Sequence, residues 1–424
     1  MSEEKRPVLL MAGNHTTQPL WKPLSEHFDI CLVHPQMAQV MMDLRIPGGF
    51  GIHQYMSAEI QENAINIAYK IAAKLHEPSN CDALSYRIDR AFSVAKQGVP
   101  SNFLSPYVNE WFPGMLGEHV KNHVVIMGMI DRLLSERKVV GCIVHEDVTP
   151  DMRAMVMYCR HRGIPTIHVP HANCFYIGDK WDIHTESISD YILASGEYAK
   201  GFYSHWGYLE DKIIITGMPQ WDKWYEASLP PKPEARRVLG IPTDDEFVLI
   251  YASSWTQTTG MRGRFEDELN DSLGMAIEAA KELPATLCVK MHPGEPQNNE
   301  QVYLNAMNAA GTEGFVTRQF AEYVLSAGDV VLAHGPSNFC CQASAVGMPC
   351  AYIGTEDFAF PFPGPVAVSW ENATHAVRMA LQLDKEKTWD LFSKNCNSCH
   401  PVGGACENIV REVLKICPPH TSMG

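Results

Sequence analysis

No stretch of the 424-residue sequence reaches the roughly 18 uninterrupted apolar residues that a membrane-spanning helix requires. A secretion signal is also missing. The early apolar run VLLMAG (8–13) is short and leads into Asn14 and His15 rather than a small-residue cleavage site. Together these absences imply a cytoplasmic location, with peripheral attachment to the inner membrane face still open. The chain lacks an excess of positive charge: 34 basic against 49 acidic residues leave a formal charge of −15. Tight general binding to nucleic acid or to an anionic membrane depends on a cationic surface that releases counterions, so this balance disfavours both. No internal repeat or low-complexity tract is visible, which leaves a solenoid without support. No Asp-x-Asp motif stands at the end of a strand-like run, so no metal and no cofactor are expected in the site; the nearest acidic run, Asp244-Asp245-Glu246, reads as a solvated turn.

The 46% apolar and 20% charged fractions are those of a globular protein able to bury sizeable cores. The length suits two α/β domains rather than one. The thirteen cysteines are an odd number spread through apolar contexts, and they read as buried free thiols. Cys396-Asn397-Ser398-Cys399-His400 has the spacing of covalent haem attachment, which the missing export signal argues against. Zinc on Cys396, Cys399 and Cys406 with His400 or Cys417 lacks a second Cys-x-x-Cys pair, so the tail reads as free or redox-active thiols.

Strand-like runs alternate with helical periodicity along the chain. VLLMAG, DICLVHP (29–35), VVGCIVHE (139–146), TIHVPH (166–171), DYILAS (190–195) and KIIITG (212–217) read as strands. Residues 57–77 and about 117–136 form long amphipathic helices, and shorter ones are expected over 151–162 and 197–206. The proline- and charge-rich segment near 226 interrupts the pattern and reads as a linker. The pattern then resumes with FVLIYASS (247–254), TLCVKMHP (286–293), DVVLAHG (329–335) and PCAYIG (349–354). Strands separated by helices imply parallel sheets covered on both faces. The expected organisation is a Rossmann-like lobe over 1–225 with a helical insertion at about 45–136, a linker over 226–246, a donor-binding lobe over 247–395, and a cysteine-containing tail over 396–424.

Open α/β sheets bind ligands beyond the carboxyl ends of their strands. Six polar clusters sit at such ends: Gly13-Asn14-His15, His145-Glu146-Asp147, His171-Ala172-Asn173, Ser253-Ser254-Trp255, His292-Pro293-Gly294 and His334-Gly335-Pro336-Ser337. Ser337, just before a helix, has the form of a phosphate site, since the first amides and the dipole of that helix favour an anion. An ordinary Ser N-cap explains Ser337 alone equally well. Arg262 and Arg264 are candidate loop cations, although a solvated loop explains them.

The stretch 191–222, ending in Gly217-Met218-Pro219-Gln220-Trp221-Asp222, resembles the CDP-glycerol glycerophosphotransferase family with its Gly-x-Pro-x-x-Asp turn. VLIYASSWTQ (248–257), VKMHPGE (289–295), HGPSNFCCQASAVGMPCAYIG (334–354) and IPTIHVPHAN (164–173) are similar to further segments of that family and of wider GT-B enzymes. The resemblance spans about 139–354. It implies a GT-B-like α/β fold: two doubly wound, Rossmann-like parallel-sheet lobes with a cleft between them, related to the UDP-N-acetylglucosamine 2-epimerase fold. It further implies metal-independent transfer of a glycosyl or glycerophosphoryl group from a nucleotide-diphosphate donor. The acceptor is a hydroxyl, as on a polysaccharide or lipid-linked precursor. His171 is the implied base, with His15 competing and His292 also catalytic. Ser253, Ser254, Lys290, His292, Ser337, Asn338 and Gln342 are the implied donor-binding set. Ala172 replaces the family's Gly and Gln342 a common Glu. Alternatives carried forward are a sugar-nucleotide 2-epimerase, a nucleic-acid base glycosyltransferase and a non-catalytic nucleotide-sugar-binding protein.

Overall fold

The computed structural model describes residues 6–75, 112–147, 149–171, 187–205, 207–225, 227–241, 246–253, 265–334, 338–353, 364–367, 370–395 and 404–419. Seven strands form the first sheet: β1 (Val8–Met11), β2 (Asp29–Leu32), β3 (Gly49–Gly51), β4 (Val139–Val144), β5 (Thr166–His168), β6 (Tyr191–Ala194) and β7 (Ile213–Ile215), in the order β3-β2-β1-β4-β5-β6-β7. Six form the second: β8 (Val248–Ala252), β9 (Thr286–Lys290), β10 (Gly314–Thr317), β11 (Val330–His334), β12 (Cys350–Ile353) and β13 (Val366–Ala367), in the order β10-β9-β8-β11-β12-β13. The second sheet is parallel throughout. The two parallel sheets bear out the expected α/β class. By internal contacts the chain divides into two compact units. One comprises Met1–Val169, Thr185–Tyr191 and Glu412–Gly424, and the other comprises Pro170–His184 and Ile192–Arg411.

In the first unit, α1 (Gln18–Ser25), α2 (Pro35–Asp43), α3 (Ala58–Leu75), α4 (Phe112–Glu136) and α5 (Pro150–His161) accompany the strands. All four residues of β1 are buried. Val8, Leu10 and Ala12 pack with Ile130 and Leu133 of α4 and with Met155, Val156 and Cys159 of α5. The start of α5 is written locally: Thr149 is extended, and Pro150 supplies a fixed φ where no N–H is needed. Within β4, Gly141 allows a close approach. A Cβ there would collide with Cys417 Sγ and stand 3.1 Å from Leu9 Cδ2.

The second unit contains α6 (Glu197–His205), α7 (Pro219–Tyr225), α8 (Lys232–Leu239), α9 (Phe265–Glu282), α10 (Asn299–Ala310), α11 (Ala321–Ala327), α12 (Asn338–Val346), α13 (Trp370–Ala380) and α14 (Lys385–Asn395). Helix α15 (Ala405–Ile416) follows. Strand β8 is buried along its whole length, and the two-residue period divides its side chains between two cores. Val248, Ile250 and Ala252 join Trp221, Val324 and Ala343 on one face. Leu249 and Tyr251 join Ala276, Ala280 and Val377 on the other. Burial of each large apolar side chain is worth about 1.5–3 kcal/mol, so the uniformly apolar VLIYA run is the sequence expression of a sheet covered on both sides.

The segment 226–246, which shows no periodicity in sequence, contains α8. Pro231 precedes the helix, and Gly240 ends it in the left-handed region at φ 75°. Charge conceals this helix because one of its arginines is a core residue. Arg236 is only 1% exposed. Its guanidinium donates to Ala327 O (3.1 Å) and Glu246 O (2.6 Å) and pairs with Asp329 at 3.3 Å.

Of the nine cysteines among the described residues, eight are buried. Burial pushes the Cys288 and Cys417 thiols up to about 12, so neither is a ready nucleophile. Cys396, Cys399 and His400 lie outside the described residues. No helix of the described residues is long and apolar enough to cross a membrane.

Candidate functional site

In the second sheet the chain runs outward from β8 through β9 to β10, then returns to the other side of β8 with β11, β12 and β13. The carboxyl ends of β8 and β11 therefore flank a topological switch point, where open sheets leave a crevice. The parallel register pairs Ala252 with Lys290, so Ser253 and His292 leave the sheet at neighbouring levels.

A carboxylate ties these ends together. Glu295, 4% exposed, accepts the Ser253 hydroxyl and the His292 backbone N–H (2.8 Å) at Oε1. At Oε2 it accepts the Tyr303 hydroxyl (2.8 Å) and the Asn299 amide (3.4 Å), both from α10. The Arg318 guanidinium donates to Glu295 O at 2.8 Å and Pro296 O at 3.1 Å, which fixes the same loop from the end of β10. Every branch of the His292–Glu295 turn is thus braced.

The imidazole of His292 has a defined polarity. Its Nδ1 accepts the Gly294 N–H at 3.1 Å, which leaves the proton on Nε2. Burial lowers its pKa, Glu295 opposes that and Lys290 reinforces it, so near neutrality the ring is a neutral N–H donor. The pKa of Lys290 is lowered as well, mainly by burial, and its ammonium donates to Met291 O at 3.2 Å. Its remaining donor capacity and the His292 Nε2–H are the features here that suit a phosphate oxygen.

A second knot in this unit joins His171 to α12. Gln220 Nε2 donates to His171 O (3.1 Å) and to Asn338 Oδ1 (3.2 Å), while Asn338 Nδ2 reaches His171 O at 3.4 Å. Gln220 enters from the start of α7, whose position is set by the Gly-x-Pro turn. Gly217 takes φ 85°, a left-handed conformation that favours glycine, and Pro219 begins the helix. Asp222, three residues further on, accepts the N–H groups of Ala405 (3.2 Å) and Cys406 (2.7 Å) at the first turn of α15. The motif's acidic residue thus anchors a helix. Burial pushes its carboxyl up to about 6 against the pull of those two N–H groups.

Among the residues expected from sequence, the structure brings Ser253, Lys290 and His292 together and joins His171 to Asn338. Gln342 is one turn beyond Asn338 on α12 and is partly buried. Ser254, Ser337, Arg262 and Arg264 lie outside the described residues. His15 belongs to the first unit. It is exposed on a loop in which Asn14 Oδ1 accepts the Thr16 and Thr17 N–H groups at 3.0 Å each.

The first sheet has its own switch point between β1 and β4, and polar residues gather there too. His145 Nδ1 donates to Ala12 O at 3.2 Å. Asp147, fully buried, accepts at Oδ2 the Ser187 hydroxyl (2.5 Å), the Ile188 N–H (2.9 Å) and the Ser189 N–H (3.0 Å) and hydroxyl (2.8 Å). Its Oδ1 faces His168 Nδ1 at 3.8 Å. Burial pushes the Asp147 carboxyl up. The attraction of His168 and the donors from Ser187 and Ser189 outweigh it, so the carboxyl titrates below its ordinary range.

Gln220 and Glu295 are the residues that sequence reasoning passes over. Both stand inside quoted motifs, at positions where neither an acid nor an amide announces a role. A Glu three residues after His292, inside VKMHPGE, is the signal the sequence offers.

Residues 161–317 match the profile of the family described as CDP-Glycerol:Poly(glycerophosphate) glycerophosphotransferase. The match bears out the resemblance read from the motifs and covers less than half of the chain. It includes His171, Gln220, Ser253, Lys290, His292 and Glu295. No curated protein matches the sequence. Among solved structures, the UDP-GlcNAc 2-epimerase of Methanocaldococcus jannaschii in complex with UDP-GlcNAc and UDP is similar with a TM-score of 0.57 at 14% identity, over 97% of this chain and 100% of that one. The UDP-GlcNAc 2-epimerase of Neisseria meningitidis bound to UDP-GlcNAc gives 0.55 at 15% identity, over 96% and 100%. The S. aureus MnaA–UDP structure gives 0.53 at 12%, over 99% of each. At such identities the likeness establishes the fold, which is GT-B-like with two Rossmann-like lobes.

Proposed function

We propose that this chain is a transferase that moves a glycerophosphoryl or glycosyl group from a nucleotide-diphosphate donor to a hydroxyl acceptor without a catalytic metal. The observation that carries the reading is the braced β8–β9 corner inside the segment that matches the glycerophosphotransferase profile. Glu295 holds the Ser253 and His292 loops in place, so that Lys290 and His292 Nε2–H can meet the anionic oxygens of a diphosphate. Prealigned donors of this kind receive the charge that develops on a leaving phosphate. Ser254, Ser337, Asn338 and Gln342 complete the donor side in this reading.

For glycerophosphoryl transfer, the acceptor oxygen bonds to the glycerol-bearing phosphorus, and the bond to the nucleoside monophosphate oxygen breaks. For glycosyl transfer, attack at the anomeric carbon expels the nucleoside diphosphate. Either route needs a base to take the hydroxyl proton, and His171, with its backbone carbonyl fixed by Gln220 and Asn338, fills that role. His15 is the alternative base.

A second reading, 2-epimerisation of a UDP-sugar, is favoured by the solved structures with similar folds. A thermal-shift screen of CDP-, UDP-, GDP- and ADP-conjugates tests the donor site, because a ligand that binds only the native state raises the melting temperature. Product analysis with the stabilising donor, with and without a chelator, separates transfer from epimerisation. The absence of a shift with every conjugate would refute a donor site here.

A further inference from the structure

One group of side chains in the first unit has no part in the proposed transfer. His119 and His123 lie one turn apart on α4, where i and i+4 side chains project from the same stripe. Their ring centroids are 6.3 Å apart. Asp151, the second residue of α5, approaches from the neighbouring helix and places Oδ1 3.0 Å from His123 Nε2. One ligand atom from each of the three residues lies within 4.8 Å of the other two.

The state of the closest two atoms points to a ligand. His123 Nε2 and Asp151 Oδ1 are both sealed from solvent, and among the described residues neither has a hydrogen-bond partner. Their short approach lacks the alignment of a hydrogen bond. Two adjacent polar atoms left in that state carry a desolvation cost that no partner offsets. A cation that accepts a lone pair from both would remove the cost.

We propose that His119, His123 and Asp151 bind a divalent transition-metal ion of the zinc class, which clasps α4 to the first turn of α5. Two imidazoles and one carboxylate form a donor set suited to zinc, whereas magnesium and calcium favour all-oxygen shells. Bonds of about 2.0–2.1 Å in a tetrahedral site require ligand atoms about 3.3 Å apart, so the widest pair closes by about 1.5 Å through side-chain rotation. A water takes the fourth position. This inference does not depend on the transfer reading, because no residue of the clasp serves that reaction.

The test uses the full chain, stripped with a chelator and titrated with Zn²⁺ by calorimetry and with Co²⁺ by absorption. The expected result is one equivalent bound, a raised melting temperature and a cobalt spectrum without thiolate charge transfer. H119A and H123A should each weaken binding at least about tenfold, since loss of even an outer-sphere partner costs 10–100-fold. A C396S/C399S variant should bind as the parent does. Circular dichroism and the parent-like behaviour of H119Q without metal check that the variants fold. The proposal is overturned if zinc does not bind, if H119A and H123A both bind as tightly as the parent, or if the only cobalt site shows thiolate charge transfer and disappears in C396S/C399S.

Discussion

Replacing Glu295 separates the brace from the charge that makes it. In Glu295→Gln the remaining carbonyl oxygen must face the His292 N–H, because a backbone donor cannot reverse its polarity. The new amide then points to Tyr303, whose hydroxyl can rotate to accept, and to Asn299, whose amide must turn its oxygen inward. The network survives with its charge assistance lost. Bonds to charged groups contribute about 1.5–3 kcal/mol and neutral ones about 0.5–1.5, so two strong bonds at 2.8 Å, weakened by about 1 kcal/mol each, give a loss of about 2 kcal/mol. Glu295→Ala strands the buried Tyr303 hydroxyl and leaves the His292 N–H to the Ser253 hydroxyl alone; an unsatisfied buried donor costs about 1–3 kcal/mol, which with the lost charged bonds gives about 3–5 kcal/mol. Urea unfolding with a fixed m-value measures both losses. The donor melting-temperature shift should shrink modestly in the Gln variant and vanish in the Ala variant. A Glu295→Ala protein within about 1 kcal/mol of the parent, or a Gln variant as damaged as the Ala one, would show that the corner does not depend on this carboxylate.

Three further outcomes follow from the geometry. His171→Ala should lower kcat by about 10²–10⁴-fold with donor affinity retained, as expected for a lost base; a rate within tenfold of the parent would reassign the role, with His15 next to be changed. Asp222 has a folded-state pKa raised to about 6, so its contribution to stability is complete below the unfolded carboxyl value near 3.8 and disappears as the pH rises through 6. After allowance for residual solvent, the swing is about 1–2 kcal/mol. The stability difference between Asp222→Asn and the parent should move by that amount between pH 4.5 and 7.5, and a pH-independent difference would contradict the buried-carboxylate account. Gly141→Ala should destabilise by about 1–3 kcal/mol through collision with Cys417, and Cys417→Ala should restore part of the loss in a double-mutant cycle; strict additivity would exclude the contact.

The sheets were legible because their strands are uniformly apolar and bounded by helical periodicity: VLIYA is buried on both faces, as its composition requires. The clustering of polar residues at strand ends was legible for the same reason, since a parallel sheet sends every carboxyl end to one edge. What stayed hidden depends on partners distant in sequence. Gln220 meets Asn338 across 118 positions, and nothing local marks Gln220 or announces their contact. Glu295 reads as a loop acid until Tyr303 and Ser253 enclose it. Helix α8 is hidden in the sequence because Arg236 looks like a surface residue, while its charge is neutralised by Asp329 and two carbonyls in the core. Asp222 belongs to the Gly-x-Pro-x-x-Asp motif, yet its partners are two backbone amides of α15, 183 and 184 positions away.

The bare backbone at Gly141 also bears on the time course of folding. The neighbour that fills its groove, Cys417, is joined to it only after 276 further residues have been added, the difference between 417 and 141. During synthesis β4 therefore waits with that groove open, and such a long-range closure is slow because a large loop must be ordered before any contact repays it. Chains that end short of residue 417 keep this strand face unfilled, whereas chains that include it can close it.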